Sequence, residues 1–213
     1  MAHDQTPALD DTDGAAPPDP ALRVLRPTQH LDLAAAEAAA GQFPRALGVS
    51  TDSESMRGTP RRMAGAYAEL FSPRPFDLTT FPNEEGYDEL VLVRGIPPRS
   101  VCEHHLLPFV GVAHVGYLPD QRILGLSKLA RVVEHFASRP QVQERLTKQV
   151  ADWLHAQLQP RGVGVVITAE HTCMTLRGVQ ALGTTTVTST LLGTLRADPR
   201  SRQEFLALTG ANA

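Results

Sequence analysis

The sequence predicts an α+β fold with antiparallel strand pairs, and the order of its periodic segments is the main reason. Segments with helical spacing of apolar residues come first, then a pair of strand-like runs, two more helices, a second strand pair and a final helix. The four strand-like runs cover residues 88–94, 109–118, 162–175 and 184–190. Neither a GxxxxGKS/T loop nor a GxGxxG turn occurs, so any nucleotide is bound without those phosphate-binding turns.

Two helices are predicted ahead of the first strand. An alanine-rich run from His30 to Ala40 is expected to end at Gly41, and Phe43-Pro44 to break any continuation, because proline removes a helical hydrogen bond. The second helix runs from Thr59-Pro60 to Phe71, with Tyr67 among the apolar residues on one side. Together they predict a helical section near the N-terminus.

Three further helices are predicted later in the chain. Ser127 is placed to cap the first of them, whose apolar positions include Leu129 and Phe136. Pro140 is expected to start the next helix, and Asp198-Pro199 to open the last.

Composition indicates a cytoplasmic protein that acts on a small molecule. The 213 residues carry a net charge of -3 and are 42% hydrophobic, which argues against a nucleic-acid polymer as partner and allows one ordinary core. No apolar run is long enough to span a membrane. Residues 1–26, rich in aspartate and proline, are predicted to be a disordered tail, followed by a helical section over 27–86 and a catalytic domain over 87–213.

The strongest functional signal is that both cysteines of the chain lie beside histidines. Cys102 begins a Cys-Glu-His-His segment, and Cys173 follows His171 by two positions. Thiolate and imidazole are ligands that zinc prefers, and Cys102 and His105 have the Cys-x-x-His spacing of a metal-binding turn. If residues 162–175 form one strand, His171 and Cys173 face the same side.

Three interpretations of these residues remain open at this point. The cysteines could form a disulfide, although no signal peptide indicates an oxidising compartment. Cys102, His105, His171 and Cys173 could form a closed structural zinc site. The favoured interpretation is three protein ligands plus water, since His104 then remains as an extra histidine and the open position suits catalysis.

Two other groups of residues suggest nucleotide binding, each with an ordinary alternative. Lys128 and Arg131 share a face near a helix start and could bind phosphate, or could form a solvated basic edge. Glu144, beside Gln143, could accept the N1-H and 2-amino protons of guanine, or could be a solvated acid in a first helical turn.

Four motifs in order resemble those of GTP cyclohydrolase I, over about residues 47–208. They are SVCEHHLLP from Ser100, GLSKLAR from Gly125, RPQVQERLT from Arg139 and HTCM from His171. The resemblance implies the tunnelling fold, an antiparallel sheet with helices on one side. It also implies a toroidal homodecamer with active sites at subunit boundaries.

The resemblance also assigns roles to individual residues. It places the zinc ligands at Cys102, His105 and Cys173, and the catalytic histidines at His104 and His171. It places the guanine anchor at Glu144 and residues near the ribose at Ser127 and Gln143. The triphosphate contacts are placed at Lys128, Arg131, Arg177 and Arg62. Many bacterial members have a lysine where this chain has Gly65, and members usually differ at Gly95 and Pro98, before the cysteine loop.

The implied reaction is the zinc-dependent hydrolysis of GTP to 7,8-dihydroneopterin triphosphate, the first step of tetrahydrofolate and pterin biosynthesis. Water opens the imidazole ring at carbon 8 while His171 protonates nitrogen 7, formate is released, and rearrangement follows with His104 and Ser127 as proton handlers. Two alternatives are a sibling activity that releases formate without pterin, and a nucleotide-binding assembly without turnover. His114, His135 and His155 are expected to be structural or solvated.

Overall fold

The computed structural model describes residues 31–210, so the tail predicted over residues 1–26 lies outside the described residues. The helices are α1 (Leu33–Ala46), α2 (Thr59–Phe71), α3 (Leu126–Ala137), α4 (Gln143–Leu158), α5 (Thr172–Thr175), α6 (Thr194–Ala197) and α7 (Pro199–Thr209). The strands are β1 (Thr80–Pro82), β2 (Val91–Ile96), β3 (Ser100–Cys102), β4 (Pro108–Leu118), β5 (Arg122–Leu124), β6 (Pro140–Gln141), β7 (Gly162–His171) and β8 (Thr186–Gly193).

A mainly antiparallel sheet forms the centre of the fold and confirms the predicted α+β class. Its strands follow the order β6-β3-β4-β7-β8, and β2 pairs with β4 beside β3. The long strands β4 and β7 pair antiparallel along their whole length, from Phe109 opposite His171 to Leu118 opposite Gly162. The short pair β3 and β6 is parallel, and β1 with β5 forms a separate two-stranded sheet.

The main core lies between one face of this sheet and helices α3 and α4. Alternate residues of β4 and β7, such as Val115 and Ile167, are fully buried on this face and pack in one cluster with Leu129 and Leu146 of the helices. Successive side chains of a strand point to opposite faces, so alternate residues lie in this core and the residues between them lie on the other face of the sheet.

Helix α7 covers part of the opposite face, which departs from the expectation of helices on one side only. Phe205 is fully buried there in a second cluster with Leu118 and Val166. The ring fits because Gly164 has no side chain: a Cβ atom at this position would lie 2.7 Å from Phe205. Beyond α7, the same face leaves Val110, Val112 and Val187 exposed.

Two predictions about helix ends are wrong. Helix α1 passes through Gly41 and contains Pro44, so neither the stop at Gly41 nor the break at Phe43-Pro44 occurs. Proline is tolerated there because it lies in the last turn, where only one helical hydrogen bond is lost before the helix ends. Asp32 caps this helix, and position 30 of the predicted start lies outside the described residues.

The predicted cap of α3 and the predicted start of α4 are also wrong. Gly125 is the N-cap residue of α3 and no side chain caps it, so Ser127 lies inside the first turn. Pro140 belongs to strand β6, and α4 begins only at Gln143. Pairing of Cys102 with Gln141 in the sheet keeps this segment extended, which overrides the local preference of proline for a helix start.

The strand predicted over 162–175 ends at His171, because residues 172–175 form the short helix α5. His171 and Cys173 therefore do not share a strand face, and the expected common orientation is wrong. Strand β2 starts and ends a few residues later than the predicted 88–94. Strand β8 likewise starts and ends later than the predicted 184–190. Helix α2 has the predicted bounds, and α7 starts at the predicted Asp198-Pro199 step.

Gly95 occupies a position where glycine is favoured. Its φ angle is +72°, and it lies where the register between β2 and β4 shifts. An irregularity of this kind accepts a left-handed residue, and glycine adopts that conformation without steric cost. Within residues 31–210, no helix has the length and apolarity needed to cross a bilayer.

Candidate metal centre and active site

Three of the predicted ligands come together at the end of strand β3. The ligand atoms of Cys102, His105 and Cys173 all lie within 4.8 Å of one another. Both thiols are free, so the disulfide interpretation does not hold in this structure. The two cysteines are 7% and 9% exposed, whereas His105 is exposed, and the group therefore opens to solvent on its histidine side.

The Cys-Glu-His-His loop is held by a tight turn. The backbone N–H of Cys102 donates to the carbonyl of Leu107, and the N–H of Leu106 donates back to the carbonyl of Cys102, both at 2.8 Å. Leu106 adopts a φ of +52°, which is uncommon for a residue with a side chain. Its carbonyl accepts from the Tyr67 hydroxyl of α2 at 2.9 Å, so the helical section stabilises this turn.

Both histidines of the loop reach the Cys102 thiol. Nδ1 of His104 and Nδ1 of His105 each lie 3.8 Å from the sulfur of Cys102. Of the two histidines, only His105 also has a ring nitrogen within 4.8 Å of the Cys173 sulfur. His105 is therefore the candidate ligand, and His104 is a neighbouring histidine. Glu103, between Cys102 and His104 in the chain, forms an ion pair with Arg145 of α4.

Cys102, His105 and Cys173 are called the metal group below. His171 lies beside this group, but its own contacts are with Phe109 and Gln143. Its ring stacks on Phe109, with centroids 4.6 Å apart and an interplanar angle of 19°. Its Nε2 atom lies 2.7 Å from Oε1 of Gln143. Burial lowers the pKa of His171, and the nearby Glu144 carboxylate opposes that shift. With Nε2 engaged, His171 is absent from the ligand group, and the closed four-ligand site is not the arrangement found.

Glu144 and Arg177 lie near this centre. Glu144 is exposed in the first turn of α4 and acts electrostatically on His171. Arg177 is exposed after α5 and acts on Cys173 in the same way. An exposed carboxylate and an exposed guanidinium therefore flank the metal group.

The remaining predicted residues lie elsewhere in the chain. Ser127, Lys128 and Arg131 are on α3, where Arg131 forms an ion pair with Glu134 at 3.2 Å. Arg62 of α2 donates to the Ser55 carbonyl at 3.0 Å. Within residues 31–210, no hydrogen bond or ion pair joins these four residues to the metal group.

The donor chemistry of the three-residue group fits zinc. Two thiols and one imidazole are ligands of the type and softness that zinc selects, and three protein ligands leave a fourth tetrahedral position for water or substrate. Burial raises the pKa of the Cys173 thiol, and the Cys102 thiol beside it adds to the shift. The proton of this thiol is therefore harder to lose, and it has to leave when the thiolate binds a metal ion.

Acid is expected to weaken zinc binding strongly. A thiol has to lose its proton to become a ligand, so the apparent affinity should fall by about 10- to 100-fold for each unit that the pH is lowered. Zinc retained against a chelator, measured from neutral to acidic pH, tests this. Cys173→Ser should already fail to retain zinc at neutral pH, and an affinity that does not change with pH in the parent would contradict the thiolate assignment.

Three residues that could hold a metal ion, beside His104 and His171, form a site suited to metal-dependent hydrolysis. The family profile of GTP cyclohydrolase I matches residues 36–210. Proteins named GTP cyclohydrolase 1 are 51% identical over 166 residues in Aquifex aeolicus, 52% over 188 residues in Mycobacteroides abscessus and 53% over 178 residues in Streptomyces avermitilis. These alignments cover 78%, 85% and 81% of this chain and 90%, 92% and 88% of the relatives.

The chain therefore belongs to the GTP cyclohydrolase I family and is an enzyme of that hydrolase class. The resemblance seen in the four motifs is confirmed.

Sequence reasoning missed three contacts that shape the site. The stacking of Phe109 on His171 depends on the register of β4 and β7, and no local pattern encodes it. The periodicity of α2 predicts only that Tyr67 packs on one side of the helix, yet its hydroxyl contacts the carbonyl of Leu106 in the Cys-Glu-His-His loop. The resemblance places Gln143 near the ribose, and no pattern in the sequence predicts its contact with His171.

Proposed function

We propose that this chain is a zinc-dependent GTP cyclohydrolase that opens the guanine imidazole ring, releases formate and forms 7,8-dihydroneopterin triphosphate. The observation that carries the proposal is the group of Cys102, His105 and Cys173 in a chain of this family, with His104 and His171 beside it. Bound zinc would supply the activation of water at neutral pH. The residues of the chain have to do the rest.

His171 is the acid in this proposal. Its ring is held by stacking on one side and by a hydrogen bond at Nε2, which leaves Nδ1 to deliver a proton to nitrogen 7 of guanine. Because burial favours the neutral ring, the protonated ring gives up its proton readily. His104 and Ser127 handle protons in the later rearrangement.

Glu144 anchors guanine in this proposal. An exposed carboxylate near His171 can accept both the N1-H and the 2-amino proton of guanine, a pair of donors that adenine does not present. The ring would then be oriented with its imidazole side toward His171. With this anchor, a nucleotide that carries adenine in place of guanine is expected to be a poor substrate.

The triphosphate is bound in this proposal by four cations, of which the single chain brings only Arg177 near the metal centre. We assign this role to Lys128, Arg131, Arg177 and Arg62. Arg131 and Arg62 have to exchange their present partners, Glu134 and the Ser55 carbonyl, for phosphate oxygens. Since α3 has no described contact with the metal group, the site is proposed to be completed by α3 of a neighbouring copy.

The assembly proposed to form such a shared site is a toroidal homodecamer of the tunnelling fold. Strand β8 pairs only with β7, and β2 only with β4, so within residues 31–210 each has one edge open for another strand. Val110, Val112 and Val187 lie exposed on the sheet, and Leu176, Val179 and Leu182 are more than 70% exposed near Cys173. A cytoplasmic location is part of the proposal.

The test is to incubate the zinc-loaded full-length protein with GTP while following formate and pterin together. Both products are expected. Formate without pterin would indicate the sibling reaction that stops early, and GTP binding without either product would leave only a binding role. ATP in place of GTP should yield neither product, which checks the guanine contact assigned to Glu144.

A further inference from the structure

Gln143 is a buried side chain near the site whose amide nitrogen and oxygen both form hydrogen bonds. It is 1% exposed, at the start of α4. Its amide nitrogen lies 3.0 Å from the carbonyl of Ile167, 2.9 Å from the carbonyl of Thr186 and 3.1 Å from the hydroxyl oxygen of Thr188. Its amide oxygen lies 2.7 Å from Nε2 of His171. Every polar atom of this side chain is therefore engaged within the chain.

The surroundings determine which way the amide points. Main-chain carbonyls only accept hydrogen bonds, so the group facing Ile167 and Thr186 has to be the NH2 group. The Thr188 hydroxyl can accept as well, because it can donate its own proton to Thr147 at 2.6 Å. The reversed amide would direct an oxygen at two carbonyl oxygens and is excluded.

The amide orientation in turn determines the protonation of the imidazole. An amide oxygen accepts only, so the Nε2 atom of His171 has to carry a hydrogen to bond with it at 2.7 Å. In the neutral ring the other nitrogen, Nδ1, is then without a proton. Stacking on Phe109 holds the ring plane, so both the tautomer and the orientation of His171 are set.

We propose that Gln143 is a positioning residue that acts through His171, holding its Nε2–H and leaving Nδ1 as the atom that exchanges the proton with the substrate. The carbonyls of Ile167 and Thr186 hold the amide, and the amide holds the ring. This inference rests on the proposed function for its catalytic consequence, and on the geometry alone for the tautomer. It differs from a contact with the ribose, which a side chain 1% exposed does not reach without leaving these partners.

Gln141 offers a matched control. It is equally buried, two residues away, and its amide donates to the Phe136 carbonyl and to Gln149, both at 2.8 Å, while its oxygen accepts from Arg145 at 2.9 Å. None of these partners is a reacting residue. Gln143→Met and Gln141→Met therefore remove the same buried amide, and only the first removes a bond to His171.

The first measurement is the nitrogen NMR spectrum of the zinc-loaded full-length protein labelled with ¹⁵N-histidine, with His171→Asn to assign the signals. In the parent, His171 should show a proton on Nε2 and none on Nδ1. This result does not depend on activity, or on the folding of any Gln143 variant. A proton on Nδ1 and none on Nε2 would overturn the proposal.

The second measurement is the steady-state kinetics of formate release from GTP. For Gln143→Met we expect kcat to fall roughly 10- to 100-fold, with KM for GTP near the parent value, by analogy with other groups that orient a functional imidazole. His171 should then show a mixture of tautomers, and Gln141→Met should change neither quantity. A raised KM with unchanged kcat in Gln143→Met would indicate that Gln143 contacts the substrate. An equal fall of kcat in Gln143→Met and Gln141→Met would indicate a structural role. Either result would overturn the proposal. If the parent releases no formate, the proposed function fails while the spectrum still decides the tautomer.

Discussion

Replacing Cys102 by serine is expected to abolish zinc retention and, with it, formate release. Serine is a poor zinc ligand because its hydroxyl stays protonated at neutral pH, and the buried position next to Cys173 provides no substitute donor within the ligand group. Activity should fall by more than about 100-fold, since the metal is needed to activate water. Zinc content after gel filtration and formate release from GTP measure the two effects.

The neighbouring histidines supply the control for this prediction. His104→Ala should keep its zinc and lose catalysis, whereas His105→Ala should lose zinc. The two variants are well matched because both rings lie 3.8 Å from the Cys102 sulfur. They should differ in zinc content because only His105 belongs to the ligand group. Zinc lost from His104→Ala but kept by His105→Ala would show that the ligand assignment is wrong.

Replacing His171 by asparagine should separate catalysis from metal binding. The variant is expected to keep its zinc, because the Nε2 atom of His171 is engaged with Gln143 and the ring is not in the ligand group. Formate release should fall roughly 100- to 10,000-fold, the range that general acid catalysis contributes. Zinc content and single-turnover formate release are the measurements.

His155→Asn is the matched control for this second prediction. His155 is exposed in the last turn of α4, far along that helix from Gln143, and belongs to no part of the site. Its replacement should leave zinc content and formate release at the parent level. Parental turnover in His171→Asn would instead remove His171 from the mechanism and move the acid role to another group.

The other histidines behave as expected from their surroundings. His135 packs against Phe76 and Phe136 in edge contacts, and burial lowers its pKa, with Arg139 adding to the shift. His114 lies on β4 with its Nδ1 atom buried and without a partner among residues 31–210, and burial and Arg94 lower its pKa. A neutral ring is the form that such positions favour.

The members of the candidate ligand group could be predicted from the sequence because they lie in short motifs. A Cys-x-x-His turn and a cysteine beside a second histidine identify soft-metal ligands without knowledge of the fold. The bounds of α2 and the start of α7 followed from proline and periodicity. The end of β7 could not be predicted, because its β-branched residues continue beyond His171 into the turn that carries Cys173.

By itself, the sequence determined which atoms are available for chemistry: two thiols, their neighbouring histidines, the carboxylate of Glu144 and the cations of α3. The tertiary structure decided which of them meet. Cys173 joins Cys102 and His105 only because β4 pairs with β7 in one register, and Gln143 reaches His171 only because α4 packs on that sheet. Strand pairing and helix packing depend on contacts between residues far apart in the chain, so a local pattern can supply the ligands but not their arrangement.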